Sequence, residues 1–333
     1  MSHWGATVIT NLFSAIPFIG KDLVPFFILS PLYIIFISNI KNKSNNKIIK
    51  DDKIIENKII ENKSLKDKYS DDKLNLLFKF IGFIDGDGYI RVTKKNKIYK
   101  EKIIEYIYIS LIINLNENDL DLLKHFQSEL QLGKVYNITP KKGRNKLARL
   151  EINKTDLKNI FLPLLNKYNI QFLTIKRQKQ FLLMKYIMDN NIIYYKDIIN
   201  NNKLNNYINN NLIKYNFHNL YYFNNWLVGF TIAEGSFIKK NNQSKDMCFQ
   251  LKQKYNFNLF NSIKTKLNLN KCLSINKGKY IQLSVSSKKD IEKIIIFFEE
   301  NKLLGYKLIQ YKKWLLDLQI NNRYKNININ QKK

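Results

Sequence analysis

Two acidic residues, Asp87 and Glu234, end two stretches of similar pattern. The first reads Phe80-Ile81-Gly82-Phe83-Ile84-Asp85-Gly86-Asp87-Gly88, and the second Leu227-Val228-Gly229-Phe230-Thr231-Ile232-Ala233-Glu234-Gly235. Each is an apolar run with a glycine in its middle and a carboxylate then a glycine at its end. Two carboxylates brought to one point repel unless a cation joins them. An oxygen-rich site with room for water suits Mg²⁺. Metal ions held there can activate water beside a phosphodiester and stabilise the leaving oxygen. An acidic turn or a calcium loop is the plainer reading of Asp-Gly-Asp-Gly taken alone. The calcium loop fails because its fifth and twelfth positions are Tyr89 and Asn96, neither an expected ligand. The 2 cysteines, Cys248 and Cys272, and the 3 histidines, His3, His125 and His218, lack metal-ligand spacing, so the thiols read as core or strand residues.

The elements that position these carboxylates can be inferred from the glycines. A glycine in mid-helix costs about 1 kcal/mol against alanine. Close approach of two helix backbones at Gly82 and Gly229 offsets that cost. Packed side by side, the two helices bring their C-terminal ends together, and Asp87 and Glu234 with them. The segments after the two helices are also alike. In the first half a helix over Leu74 to Asp85 precedes strands at Tyr89 to Lys94 and Tyr106 to Leu115. A helix at Glu117 to Leu130, a strand after Gly133 and a strand at Leu147 to Asn153 come next. Thr155 is placed to cap a helix through Leu165. In the second half a helix over Phe223 to Ala233 precedes strands at Ser236 to Lys240 and Met247 to Gln253. A helix at Asn258 to Leu267, strands at Lys271 to Asn276 and Tyr280 to Ser286, and a helix at Lys288 to Phe298 complete it. The duplication predicts an α+β, pseudo-twofold molecule of two αββαββα halves. Nucleic-acid readers with that symmetry take pseudo-palindromic sites.

The rest of the chain brackets these halves, at 73–189 and 220–333. Lys and Arg total 56 against 27 Asp and Glu, a net charge of +29 in 333 residues. So basic a chain favours a polyanionic partner, although part of the excess fits a drift toward A/T-rich codons for Lys, Asn, Ile and Tyr. Met1 to Ile40 is a hydrophobic leader in which Lys21 and Asp22 are the firm charges, and Leu23 to Ile40 is uncharged. The run is at the lower edge of a membrane span and is interrupted by Pro25 and Pro31. It has neither the positive start of a secretory signal nor the Arg-rich pattern of a transit peptide. Residues 41–72 read as a low-complexity linker of repeated Lys-Ile-Ile units, and Asn-rich residues 190–219 as a second linker.

The two nonamers, each followed by an alternating strand, resemble the LAGLIDADG family of homing endonucleases and maturases in its double-motif, single-chain form. The resemblance covers roughly Leu74 to Leu318. It implies antiparallel, saddle-like sheets lying in the DNA major groove beneath paired motif helices. It also implies Mg²⁺, as two or three divalent ions, held by Asp87 and Glu234, each serving one strand. Phe172 to Gln178 resembles the segment holding a central catalytic lysine, here Lys176, and Leu303 to Lys307 resembles its second copy, with Lys307. A lysine near the scissile phosphate can polarise water or stabilise developing charge. Asn114 and Gln250 are the matching candidates for positioning water. Tyr89, Arg91, Thr93, Tyr106, Tyr108, Phe237 and Lys239 alternate on strands and are the candidate DNA-binding residues, their face left open. One departure is Ile232, where the family pattern has the acidic residue that the first copy keeps as Asp85. That group is expected to hold the helix ends rather than metal.

Met1-Ser2-His3-Trp4-Gly5 through Lys21 resembles an internal stretch of mitochondrial cytochrome b, as translated exon running into an intron reading frame would. The expected protein is therefore a mitochondrial, intron-encoded, monomeric endonuclease cutting double-stranded DNA around the cytochrome b exon junction. The alternative is an RNA maturase that binds its own group I intron. A fragment of cytochrome b itself is disfavoured, because no further long apolar run comes after the leader.

Overall fold

The computed structural model describes residues 70–139, 146–199, 201–213, 216–240 and 245–327. The leader and nearly all of the first linker lie outside these residues. The linker ends earlier than the sequence suggests: Asp71 and Asp72 already belong to helix α1 (Asp71–Asp87). Ser70 caps that helix, its hydroxyl accepting the Lys73 N–H at 3.3 Å, and the two aspartates favour the positive end of the helix dipole.

The first half continues through β1 (Gly88–Tyr99), β2 (Lys102–Asn116), α2 (Leu120–Leu130), β3 (Lys134–Ile138) and β4 (Leu147–Asn153). A helical turn at Lys154–Asp156 and a π-helical stretch at Leu157–Phe161 lead into α3 (Leu162–Lys167). Their cap is Asn153, which accepts the Asp156 N–H at 2.9 Å, rather than Thr155. Next come α4 (Ile175–Asp189) and, within the Asn-rich stretch, α5 (Asn202–Asn210). The second half runs α6 (Phe223–Glu234), β5 (Gly235–Lys239), β6 (Met247–Lys254), α7 (Phe257–Lys266), β7 (Ser274–Asn276), β8 (Tyr280–Val285), α8 (Lys288–Glu300) and α9 (Gly305–Ile320). Each half is thus the expected αββαββα unit with one further helix, α4 or α9, at its end.

The two sheets are antiparallel, ordered β1-β2-β4-β3 and β5-β6-β8-β7. Cross-strand register assigns their faces, because directly opposed residues point the same way. Ile90, Ile109, Leu111, Ile113, Ala148, Leu150 and Ile152 are buried on the inner face of the first sheet. Phe249, Leu251, Ile281, Leu283 and Val285 do the same in the second. Both sets join one hydrophobic core with α1 and α6.

Those two helices cross with almost no space between their backbones. A Cβ added at Gly82 would sit 1.9 Å from the Trp226 carbonyl oxygen, and one at Gly229 1.7 Å from that of Lys79. Only hydrogen fits at either position. Aromatic packing extends the junction: Phe223 stacks on Trp226, which stacks on Phe230, with centroids 5.4 and 4.8 Å apart. Among the described residues no helix is long and apolar enough to cross a membrane.

Candidate active site and nucleic-acid face

Because α1 and α6 cross so closely, their C-terminal ends meet. At that end a Cβ on Gly86 would lie 2.3 Å from the Ala233 Cβ and 3.1 Å from the Glu234 Cγ. Asp87 and Glu234 are the last residues of the two helices. Crowding by protein pushes the Glu234 carboxyl up to about 7, and repulsion from Asp87 adds to it, against a hydrogen bond from Gln253 and the charges of Arg177 and Lys176. Asp87 is pushed up to about 6, again chiefly by desolvation, with Lys307 and Arg177 pulling down and Asp119 pushing up. The Asp87 side chain also opens to solvent, so water screens part of this effect.

Asp85 has a different task. Its Oδ2 accepts the Leu173 N–H and the Trp226 Nε1–H, both at 2.8 Å. Its Oδ1 accepts the Thr174 N–H at 3.0 Å and the Thr174 hydroxyl at 2.6 Å. This carboxylate ties the end of α1 to the start of α4 and to α6. Burial raises its pKa while these four donors pull it back. Ile232, its counterpart, is 6% exposed and offers no acceptor. On that side Lys79 Nζ donates to the Lys302 carbonyl at 3.1 Å, tying α1 to the segment before α9.

The starts of α4 and α9 deliver two basic groups to the junction, in a register different from the one the sequence suggests. Thr174 is the N-cap of α4 and Leu304 that of α9. Counting from these caps, Lys307 corresponds to Arg177, and Lys176 to Tyr306. Arg177 is 1% exposed and donates through Nε to the Ile84 carbonyl at 3.0 Å. Lys307 Nζ donates to the Gly235 carbonyl at 2.7 Å. Both therefore sit on backbone at the ends of the motif helices. Lys176 is exposed and lines a 190 Å³ cleft beside Glu234, with Arg177, Gln253, Lys254 and Asn256. Burial lowers the pKa of Lys307; that of Lys176 is lowered by partial desolvation in the cleft and by the charges of Arg177 and Lys254. The cap positions hold the signal that could have found Arg177.

Strand register corrects the second pair. Gly88 opposes Ile113 and Gly235 opposes Leu251, so Asn114 matches Lys252 rather than Gln250. Asn114 Oδ1 accepts Arg149 Nε at 2.7 Å on the outer sheet face, and Gln250 lies opposite Ser236 and Ser284. The glutamine that reaches the junction is Gln253, whose Nε2 donates to Glu234 Oε1 at 2.6 Å. Its counterpart in the first half is Leu115. The chain between β5 and β6 conceals this offset, since nothing in its length states where pairing begins.

The candidate DNA-binding residues divide by half. Tyr89, Arg91 and Thr93 share the outer face of the first sheet with Tyr106 and Tyr108, since Thr93 opposes Tyr108 and Lys95 opposes Tyr106. Arg91 pairs with Glu151 at 3.0 Å and lies over the Tyr108 ring at 5.1 Å. Lys97 lies over the Tyr106 ring at 5.2 Å. In the second half the outer face passes to Ser236 and Ile238. Phe237 turns inward, packing against Phe249, Phe298, Tyr311 and Trp314. Lys239 opposes buried Met247 on that same inner side, although it is itself exposed at the strand end. Register places Phe237 where Ile90 stands in the first sheet. Of the cysteines, Cys248 is buried on β6 and Cys272 is exposed, and both are free.

Comparison with known proteins accords with this duplicated arrangement. A family model described as LAGLIDADG endonuclease matches residues 80–188 and 227–316. The chain is 31% identical over 278 residues to a probable intron-encoded endonuclease aI3 of Kluyveromyces lactis, covering 71% of this chain and 63%, less than two thirds, of that relative. A protein of the same name from Dictyostelium discoideum is 25% identical over 228 residues, covering 68% and 90% of the two chains. A 26-residue stretch is 92% identical to cytochrome b of Candida parapsilosis, 8% of this chain and 7% of that protein. In fold the chain is similar to I-SmaMI bound to an uncleaved DNA target with calcium ions, at TM-score 0.55 and 22% identity, covering 72% and 89%. It is likewise similar to the meganuclease I-AabMI bound to uncleaved DNA, at TM-score 0.52 and 23% identity, covering 72% and 89%. With both motifs inside the matched residues, the chain belongs to the LAGLIDADG endonuclease family.

Proposed function

We propose that this protein is a sequence-specific, intron-encoded endonuclease that makes double-strand breaks in DNA by Mg²⁺-dependent phosphodiester hydrolysis. The observation that carries the reading is the contact of two glycine-crossed helices that brings Asp87 and Glu234 together at their ends, where the Asp87 charge helps to raise the Glu234 carboxyl. Among the described residues no cluster of three or more His, Cys, Asp and Glu forms a full metal cage. Two carboxylates fit Mg²⁺ nonetheless, since that ion keeps waters and takes phosphate oxygens from its substrate. Bound there, divalent ions supply an activated water and stabilise the leaving oxygen. The protein's own groups do the rest. Asp87 and Glu234 hold the ions, and Gln253 fixes the direction of Glu234. Arg177 and Lys307 hold positive charge near the phosphates. Lys176 lies at the mouth of the cleft, where it meets the DNA backbone. The outer sheet faces, with Arg91, Tyr106, Tyr108 and their lysine neighbours, enter the major groove, which a β-ribbon can read.

The DNA-bound fold relatives support a duplex partner. The calcium ions of one of them support a divalent requirement, and the named relatives together with the cytochrome b stretch support a mitochondrial origin. The chain works as a monomer, both half-sites being read by one polypeptide. Residues 1–69, which the sequence reads as leader and linker, lie outside the described residues. The target spans the cytochrome b exon junction, because an enzyme that spreads its intron must cut the uninterrupted gene and spare the occupied one. The test is cleavage of plasmids carrying that gene with and without the intron, in Mg²⁺, by the parent protein and by Asp87→Asn and Glu234→Gln. The parent linearises only the intronless plasmid. Each variant binds without making double-strand breaks, and affinity falls steeply with salt. Equal cutting of both plasmids refutes the homing reading. No cutting, with tight binding of the intron RNA, replaces it with the maturase.

A further inference from the structure

Pseudo-symmetry makes the two basic arms directly comparable, and they are held in different ways. On α4 the helix supplies its own cap, since the Thr174 side chain accepts from the Arg177 N–H. On α9 the equivalent residue is Leu304, which has no side-chain acceptor. The first backbone N–H groups of a helix need partners from elsewhere when the cap cannot provide them. Here the carboxylate that faces them comes from the other half of the molecule. The Tyr306 N–H is turned toward Asp119, which stands at the start of α2 and makes no cap bond to its own helix. The two helices touch at this point, for Gly305, at φ 59°, lies so close to Leu122 that an added Cβ would be 3.1 Å from its side chain. The residue after Tyr306 is Lys307, whose Nζ rests on the Gly235 carbonyl at 2.7 Å. At the symmetric position the cap of α7 is Asn256, which donates to the Leu173 carbonyl at 3.3 Å. Each half thus braces the other's basic arm, but only the first does so with a charge.

We propose that Asp119 is a positioning residue that caps α9 from the opposite half and holds Lys307 in place at the junction of the motif helices, for one of the two strand cleavages. A carboxylate at a helix N-terminus gains from the helix dipole, and its negative charge also faces Lys307, keeping that ammonium from drifting toward solvent. The proposal rests on the nuclease reading of the site. It assigns the two strands unequal dependence on a residue that contacts neither metal nor DNA.

The experiment is strand-resolved cleavage of an end-labelled target by the full chain, with Asp119→Ala and Asp119→Asn beside the parent. Asp119→Ala slows the cutting of one strand about 10- to 100-fold, as loss of supporting contacts around a metal site typically does. It leaves the second strand and the KM for DNA near the parent values, so a nicked intermediate accumulates. Asp119→Asn keeps an acceptor for the Tyr306 N–H and restores most of the rate. Thermal melting of all three proteins separates lost folding from lost positioning. Equal slowing of both strands in proportion to a lowered Tm overturns the inference, as does a variant indistinguishable from the parent. So does Asp119→Asn as slow as Asp119→Ala. Should the parent cut no target at all, the nuclease reading fails and this inference with it.

Discussion

The glycine crossing of α1 and α6 offers the sharpest test of how the site is assembled. In Gly82→Ala the new methyl would stand 1.9 Å from the Trp226 carbonyl oxygen and 2.9 Å from the Phe230 nitrogen. Both neighbours are backbone and cannot turn aside as a side chain could. Reaching an ordinary contact of 3.4 Å requires the helices to part by about 1.5 Å. A gap even smaller than that forfeits a quarter to a half of each dispersion contact across the interface. Overpacking of this kind costs about 3 kcal/mol, and alanine returns about 1 kcal/mol of helix propensity. The net loss of about 2 kcal/mol corresponds to a Tm lower by roughly 4–8 °C. Gly229→Ala, at 1.7 Å from the Lys79 carbonyl, behaves alike. Because both act on one crossing, the double variant is not additive. Parting the helices also separates Asp87 from Glu234, so cleavage falls further than stability explains. The assay is thermal unfolding together with plasmid cleavage at a temperature where each variant remains folded. As a contrast, Gly278 has φ 63° and nothing within 4 Å of an added Cβ, so Gly278→Ala loses only about 1 kcal/mol from backbone strain. A Gly82→Ala protein that melts at or above the parent temperature and cuts normally would refute the argument.

Asp85→Asn places an amide where four donors converge, leaves at least two of them unpaired, and lowers stability by about 2–4 kcal/mol; urea unfolding measures it, and an unchanged midpoint contradicts the role given to this carboxylate. The pH dependence of the metal-free protein is set by the raised carboxyls, Asp87 near 6 and Glu234 near 7. Their unfolded values lie near 4, so between about pH 4 and 7 the folded chain binds more protons than the unfolded one, and stability falls as pH rises through that window. Calorimetry without metal gives a higher Tm at about pH 5.5 than at about pH 7.5, and Mg²⁺ narrows the difference because it binds the ionised pair; a metal-free Tm that climbs over the same interval opposes the reading.

Much of this protein was legible along the chain because its signals are local. The repeated apolar run with a mid-helix glycine and a terminal carboxylate announces two crossing helices, and the glycines at 82 and 229 do meet backbone there. Period-two alternation locates most of the strands, and the duplication gives the two-half architecture. Whatever depends on the alignment of separate segments was decided only by tertiary structure. The face of Phe237, the exchange of Gln250 for Gln253 at Glu234, and the exchange of Lys176 for Arg177 as the partner of Lys307 each turn on an offset of one to three residues. In a strand a one-residue slip reverses every side chain, and in a helix it rotates the side chain by about 100°. Composition does not encode that offset. It is set by where Gly88 and Gly235 begin their ladders and where Thr174 and Leu304 begin their helices, contacts between residues far apart in the sequence. Asp119 is the extreme case, since its partner on α9 belongs to the other half of the molecule and only packing brings the two together.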